Sequence, residues 1–134
     1  MPHAVAPTVD RDDEFFWNGV AEGKLLARRC ARCRRIQQPP SPMCPQCGSL
    51  DWDVEELSGR GTLHSWIVSH HPSEPDDAAR IVGLIELDEG IRLVSNLQGI
   101  EKAAVRNDMP LEVVFMDVDG VRLHQFRPVS GKDA

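Results

Sequence analysis

All four cysteines of this chain fall between positions 30 and 47, as Cys30-x-x-Cys33 and Cys44-x-x-Cys47 with ten residues between the pairs. No other feature restricts the fold as much. Two tight knuckles bring four soft thiolates to the corners of a tetrahedron, which suits Zn²⁺ and closes its coordination shell. A closed shell leaves no position for a substrate, so the ion expected at Cys30, Cys33, Cys44 and Cys47 is structural. Two disulfides or four free thiols are the alternative, and in a reducing compartment this doublet spacing favours zinc. The segment around the cysteines carries Pro39, Pro40, Pro42 and Pro45, too many for a long helix. Loops held by the metal fit it better.

Iron is the competing ion, since rubredoxin-type sites use the same tetrathiolate. CPQCG at 44–48 looks like one of their knuckles. CARCR at 30–34 has Arg34 where a glycine usually relieves crowding and admits amide donors to sulfur. That departure leaves Zn²⁺ as the expected cofactor.

At 134 residues the chain has the size of one domain with room for a small metal-held module. The division expected is a loose tail over 1–11, a helix over 12–24, a zinc ribbon over 25–50 and a barrel over 51–130. The Ala-Pro-Val composition of the tail would suit a linker from a fused hydratase. In the helix, Asp12 or Asp13 supplies the cap, Phe15, Phe16, Val20 and Ala21 form an apolar stripe with Trp17 at its edge, and Gly23 ends it. So short a helix is not stable alone, and its aromatics must bury against the protein's own core or against a partner. Phe15, Phe16 and Trp17 are therefore candidates for partner docking.

Strand patterns follow at Thr62 to His70, Ile81 to Leu87, Ile91 to Leu97, Leu111 to Val118 and Val121 to Phe126, with turns at Asp88-Glu89-Gly90 and Asp119-Gly120. Gly99 to Asn107 reads as a short helix between the third and fourth. Five strands with a helix inserted at that place form the OB-fold pattern. The expected fold class is therefore mainly β: an N-terminal helix, a four-cysteine zinc ribbon and a C-terminal five-stranded OB-fold barrel.

The formal charge is −6, from 15 Lys and Arg against 21 Asp and Glu, which disfavours general binding to nucleic acid. Between Lys24 and Leu50, however, six residues are basic and none is acidic. Arg28, Arg29, Arg32, Arg34 and Arg35 either offset the charge of their own thiolate site or grip an anionic ligand or partner. No apolar run is long enough to span a bilayer, and the first residues lack the basic and apolar regions of a secretory signal, so a cytoplasmic location is expected.

No catalytic constellation stands beside the cysteines. His64, His70 and His71 invite a metal or acid–base reading, but adjacent strand residues point to opposite faces. Gly59 and Gly61 lack the context of a dinucleotide loop and read as a tight bend. Asp76 with Asp77, and Asp117 with Asp119, sit in turns and loops. The polar connection from Pro72 to Arg80 is long for a hairpin and of a kind that often meets a ligand.

In combination, FFWNGVAEGKLLARRCARC, PPSPMCPQCGS, ELSGRGTLHSWIVSHHP, LVSNLQGI and QFRP resemble domain-of-unknown-function family thirty-five over residues 12–128. The family pairs a rubredoxin-like zinc ribbon with an acyl-CoA-associated OB-fold. The segments WDVEELSGRGT and RLVSNLQGI are most similar to the subfamily of actinobacterial steroid side-chain degradation. Asn107 and Asp108 depart from the pattern where the family often has a glycine.

The resemblance implies an accessory, non-catalytic subunit of a thiolase-superfamily acyl-CoA aldolase. Such a lyase complex binds the CoA thioester and cleaves a steroid side chain by retro-aldol chemistry, releasing propionyl-CoA. The implied partners are a thiolase-like or lipid-transfer-protein-like aldolase subunit and an acyl-CoA thioester, in a hetero-oligomer, with neither nucleic acid nor membrane. The five arginines become candidates for the CoA phosphates. A thiolase, ketoacyl synthase or enoyl-CoA hydratase is the alternative partner. A nucleic-acid-binding OB module is the alternative of another class.

Overall fold

A computed structural model describes residues 7, 9–38, 40–70 and 80–129. Most of the expected tail, His71, Asp76, Asp77 and nearly all of the connection from Pro72 to Arg80 lie outside the described residues.

Helix α1 spans Glu14–Ala21. Asp13 occupies the cap position, but its carboxylate accepts from the Asp10 amide, and its carbonyl accepts from the Phe16 and Trp17 amides. Gly23, at φ 79°, turns the chain out of the helix as expected. The buried face is Phe16, Gly19 and Val20, while Phe15 is half-buried and Ala21 exposed. Gly19 belongs to that face because a Cβ there would come within 2.7 Å of the Leu26 side chain. The helix therefore closes directly on the strand that follows.

Strands β1 (Leu26–Cys30), β2 (Ile36–Gln37) and β3 (Trp52–Glu56) form a small antiparallel sheet in the order β2-β1-β3. β3 was not among the strands expected from the sequence, which began at Thr62. Its register pairs Cys30 with Trp52 and Leu26 with Glu56. The residues expected to open the barrel thus complete the ribbon sheet.

Strands β4 (Arg60–Ser69), β5 (Arg80–Leu87), β6 (Arg92–Asn96), β7 (Pro110–Val118) and β8 (Val121–Pro128) form the second sheet, in the order β6-β5-β4-β7-β8. The register of β4 against β5 slips between Leu63 and Ser65, leaving His64 as the extra residue of a bulge that bends the long strand. A parallel bridge from Leu97 to Phe126, with the Gln98 amide donating to the Phe126 carbonyl at 2.7 Å, joins β6 to β8 and closes the barrel. A meander of three strands, then a hairpin whose last strand meets the third, is the OB-fold connectivity. Leu63, Ile85, Leu111 and Phe126 fill the interior without exposure.

The expected helix over Gly99–Asn107 is a correction: only one 3-10 turn, Lys102–Ala104, forms there. Glu101 and Val105 on either side are extended, and Lys102, Ala103 and Ala104 are exposed. Propensity favoured a helix, but the segment has no apolar stripe to bury: only Val105 is buried in the core, with Ile100 packed half-buried against it.

Candidate metal centre and its surroundings

Cys30 ends β1, and Cys33 lies on the turn that follows it. Cys44 and Cys47 lie on a second turn of the same design. In the first, the Arg34 amide donates to the Cys30 carbonyl at 3.0 Å and the Cys30 amide to the Arg35 carbonyl at 2.8 Å. In the second, the Gly48 amide donates to the Cys44 carbonyl and the Cys44 amide to the Ser49 carbonyl, both at 2.9 Å. Gly48 and Arg34 occupy equivalent places, with φ 78° and 71°. The knuckle lacking a glycine adopts the same left-handed backbone, at a cost of about 1–2 kcal/mol for a residue with a Cβ. Asp108, at the other departure from the family pattern, is likewise left-handed, at φ 65°.

The four sulfurs lie within 4.8 Å of one another. Cys30 to Cys47 and Cys33 to Cys44 are each 3.6 Å apart. A tetrahedron of Zn–S bonds requires edges of about 3.8 Å. The set therefore fits a tetrahedral ion and is much too wide for disulfides. The Cys33 amide donates to the Cys30 sulfur at 3.4 Å. That bond, with a smaller contribution from the Arg32 amide, pulls the Cys30 thiol down to about 6, and the Cys47 and Gln46 amides lower Cys44 in the same way. The knuckle backbone thus prepares one thiolate in each pair for a cation. Bound there, Zn²⁺ cross-links two turns.

The five arginines divide sharply. Arg28 is 4% exposed: its guanidinium stacks over the Trp52 ring at 4.2 Å and donates to the Pro42 carbonyl at 3.0 Å. It braces the proline loop against β3. Arg29 donates to Asp53 at 2.8 Å and to Glu55 at 2.7 Å, two carboxylates on the adjacent strand, and its hydrogen bond holds Asp53 below the usual carboxylate range. Arg34 approaches Asp53 at 3.6 Å, and Arg35 reaches the Gln46 side chain at 3.3 Å. Arg32 is exposed on the Cys30–Cys33 knuckle. Internal contacts hold Arg28 and Arg29, whereas Arg32, Arg34 and Arg35 form an outward basic rim.

The helix aromatics divide as well. Phe16 is 6% exposed and packs edge-on against His124 at 5.1 Å. Phe15 meets Trp52 at 5.3 Å, and Trp17 lies 5.7 Å from His124. α1 docks on its own protein, leaving Phe15 and Trp17 partly open. His124 and Trp52 are what sequence reading missed. Trp52 owes its role to the β1–β3 register, which no local pattern reports. His124 falls at an outward, polar position of the β8 alternation, so nothing in the sequence marks it until α1 is known to cover that face.

Two family models match adjoining stretches that together span residues 17–116. One described as the rubredoxin-like zinc ribbon domain of ChsH2 matches residues 17–53, and one described as its C-terminal OB-fold domain matches residues 54–116. The solved structure "Ltp2-ChsH2(DUF35) aldolase" is similar with a TM-score of 0.86 and 39% identity, covering 92% of this chain and 98% of that one. A probable enoyl-CoA hydratase alpha subunit of Thermomonospora curvata is 40% identical over 91% of the chain. The 3-oxo-4,17-pregnadiene-20-carboxyl-CoA hydratase alpha subunit of Mycobacterium tuberculosis is 33% identical over the same share. The chain spans 39% of the length of each of these hydratase subunits.

Proposed function

Because the chain belongs to the DUF35 family of zinc-ribbon and OB-fold proteins, in its ChsH2 branch, we propose that it is the accessory subunit of a thiolase-superfamily acyl-CoA aldolase. The likeness to the DUF35 chain of a named aldolase, which extends over nearly all of that chain, carries this reading. In it the chain supplies no catalytic group. Zn²⁺ fixes the ribbon, the half-open Phe15 and Trp17 contribute to docking, and the enzyme subunit performs the carbon–carbon cleavage.

The outward arginines Arg32, Arg34 and Arg35 are the groups we assign to an anionic contact, either the phosphates of the CoA thioester or an acidic patch on the partner. Arg28 and Arg29 act through the fold instead. The likeness to a steroid-CoA hydratase subunit supports a steroid side-chain thioester as the substrate of the complex, with retro-aldol release of propionyl-CoA, in the cytoplasm. Co-expression with a thiolase-superfamily aldolase subunit from the same genome tests the proposal. A stable hetero-oligomer with turnover well above that of the isolated enzyme supports it, and equal turnover with and without this chain refutes it.

A further inference from the structure

Two cavities adjoin where the ribbon meets the barrel. The smaller, about 220 Å³, takes Arg35, Gln37, Gln38 and Ser41 from the ribbon and Ile91 and Arg92 from the barrel. The larger, about 540 Å³ and the size of a small-molecule site, lies between α1 and the barrel wall, with Trp17, Pro40, Leu84 and Val94 among its apolar lining. Its polar residues are Asp13, Gln38, Arg92 and His124. Gln38 and Arg92 line both cavities, so a polar pocket and a mainly apolar cleft share one boundary.

Charge is unequal across that boundary. Among the described residues the small pocket holds two guanidinium groups and no carboxylate. Arg35 is bonded to the neutral Gln46 side chain at 3.3 Å, and Arg92 reaches Glu86 through Nε at 3.3 Å, so each keeps further N–H donors for a ligand. The Arg92–Glu86 pair is about half exposed and worth little, so an added anion can share or displace it. Asp13 lines the large cleft and not the small pocket, so it repels an anion from the α1 end and favours the ribbon end. On the wall between, Val94 is 60% exposed and Trp17 half-buried, apolar surface that the body of a ligand would cover.

We propose that the two cavities form one site for an amphipathic anion, with an apolar, ring-sized body in the large cleft and a single carboxylate or phosphate group held by Arg92 and Arg35. The site is complete within this chain and does not rest on the aldolase reading. Arg35 is shared with the anionic contact assigned above; Arg92 is not.

The test uses the full zinc-loaded chain and three probes with one ring system: 2-naphthoate, 2-naphthyl phosphate and the neutral 2-naphthamide. Titration is followed by NMR of the labelled chain. At low salt the better of the two anions is expected to bind about tenfold more tightly than the amide, the worth of one charged hydrogen bond, and to lose that advantage at high salt. Which anion binds more tightly identifies the head group, and either order upholds the site. Ring protons of the bound probe should show contacts to the Leu84 and Val94 methyl groups. Arg92→Met keeps the aliphatic stem at a half-exposed position and is expected to bring the anions down to the affinity of the amide; Arg35→Met should weaken them several-fold. No binding of any probe, equal affinity of anions and amide, an anion preference that persists in R92M, or probe contacts away from Leu84 and Val94 overturns the proposal.

Discussion

Between positions 30 and 52 the buried side chains among the described residues are Cys30, Gln37 and Cys44, two thiols and an amide. Between Leu57 and Phe126 the buried set is almost wholly aliphatic, built around Leu63, Ile85, Leu111 and Phe126. The ribbon's order comes from metal coordination and paired charges, Arg29 with Asp53 and Glu55 foremost. The barrel's order comes from apolar burial. A short, proline-broken segment cannot bury enough surface to offset its ordering entropy, so the ion takes the place of a core. The two meet at α1, β1 and the turn between them, where Phe16, Val20, Leu25 and Ala27 join the barrel cluster.

The largest effect expected from this contrast is at the metal. Cys44→Ser should abolish stoichiometric zinc, read by elemental analysis, and remove much of a contribution on the order of 10 kcal/mol to ribbon order. Phe126→Ala is its counterpart. It should lower the unfolding free energy by about 3–5 kcal/mol while zinc content stays at one ion per chain. Loss of zinc in F126A would break the contrast.

Acid should act through His124. Above its ordinary value of 6.5 the ring is neutral in both the folded and unfolded chain and contributes nothing. As pH falls from 6.5 to about 4, the unfolded chain takes up a proton that the folded chain refuses, so stability is lost, by at most about 3 kcal/mol. Urea midpoints at neutral and acid pH should diverge less in H124F than in the native chain. Arg28→Ala is expected to cost about 1–3 kcal/mol, because it removes both the stack on Trp52 and the bond to Pro42. The loss should appear in the ribbon, as faster exchange of amides in β3 and the proline loop.

The smallest effect sharpens the comparison within the ribbon itself. Arg34→Gly relieves a left-handed backbone but gives up a 3.6 Å contact to Asp53, exposed at the surface and worth little. A gain of up to about 1 kcal/mol in stability is expected, read as a small rise in Tm.

These differences were unequally legible in the sequence. The cysteine doublets fix a local geometry by spacing alone, and apolar or alternating runs bounded by turn residues marked the five barrel strands. Gly23 and Gly48 could be read as turns because left-handed backbone favours glycine, while Arg34 and Asp108 adopt it without that signal. The 3-10 turn was missed because helix propensity is local and burial is not. The fates of the arginines depend on β3, whose register brings Trp52, Asp53 and Glu55 beside β1 from more than twenty positions away. No charge pattern within 24–50 distinguishes a bracing arginine from an exposed one.

Zinc removal followed residue by residue tests the central claim most directly. Treated with a chelator at neutral pH, the ¹⁵N-labelled chain should lose amide dispersion from Cys30 to about Trp52, while strands β4 to β8 and α1 keep their native shifts. Simultaneous collapse of barrel and ribbon resonances, or a ribbon that keeps its shifts without metal, would contradict it.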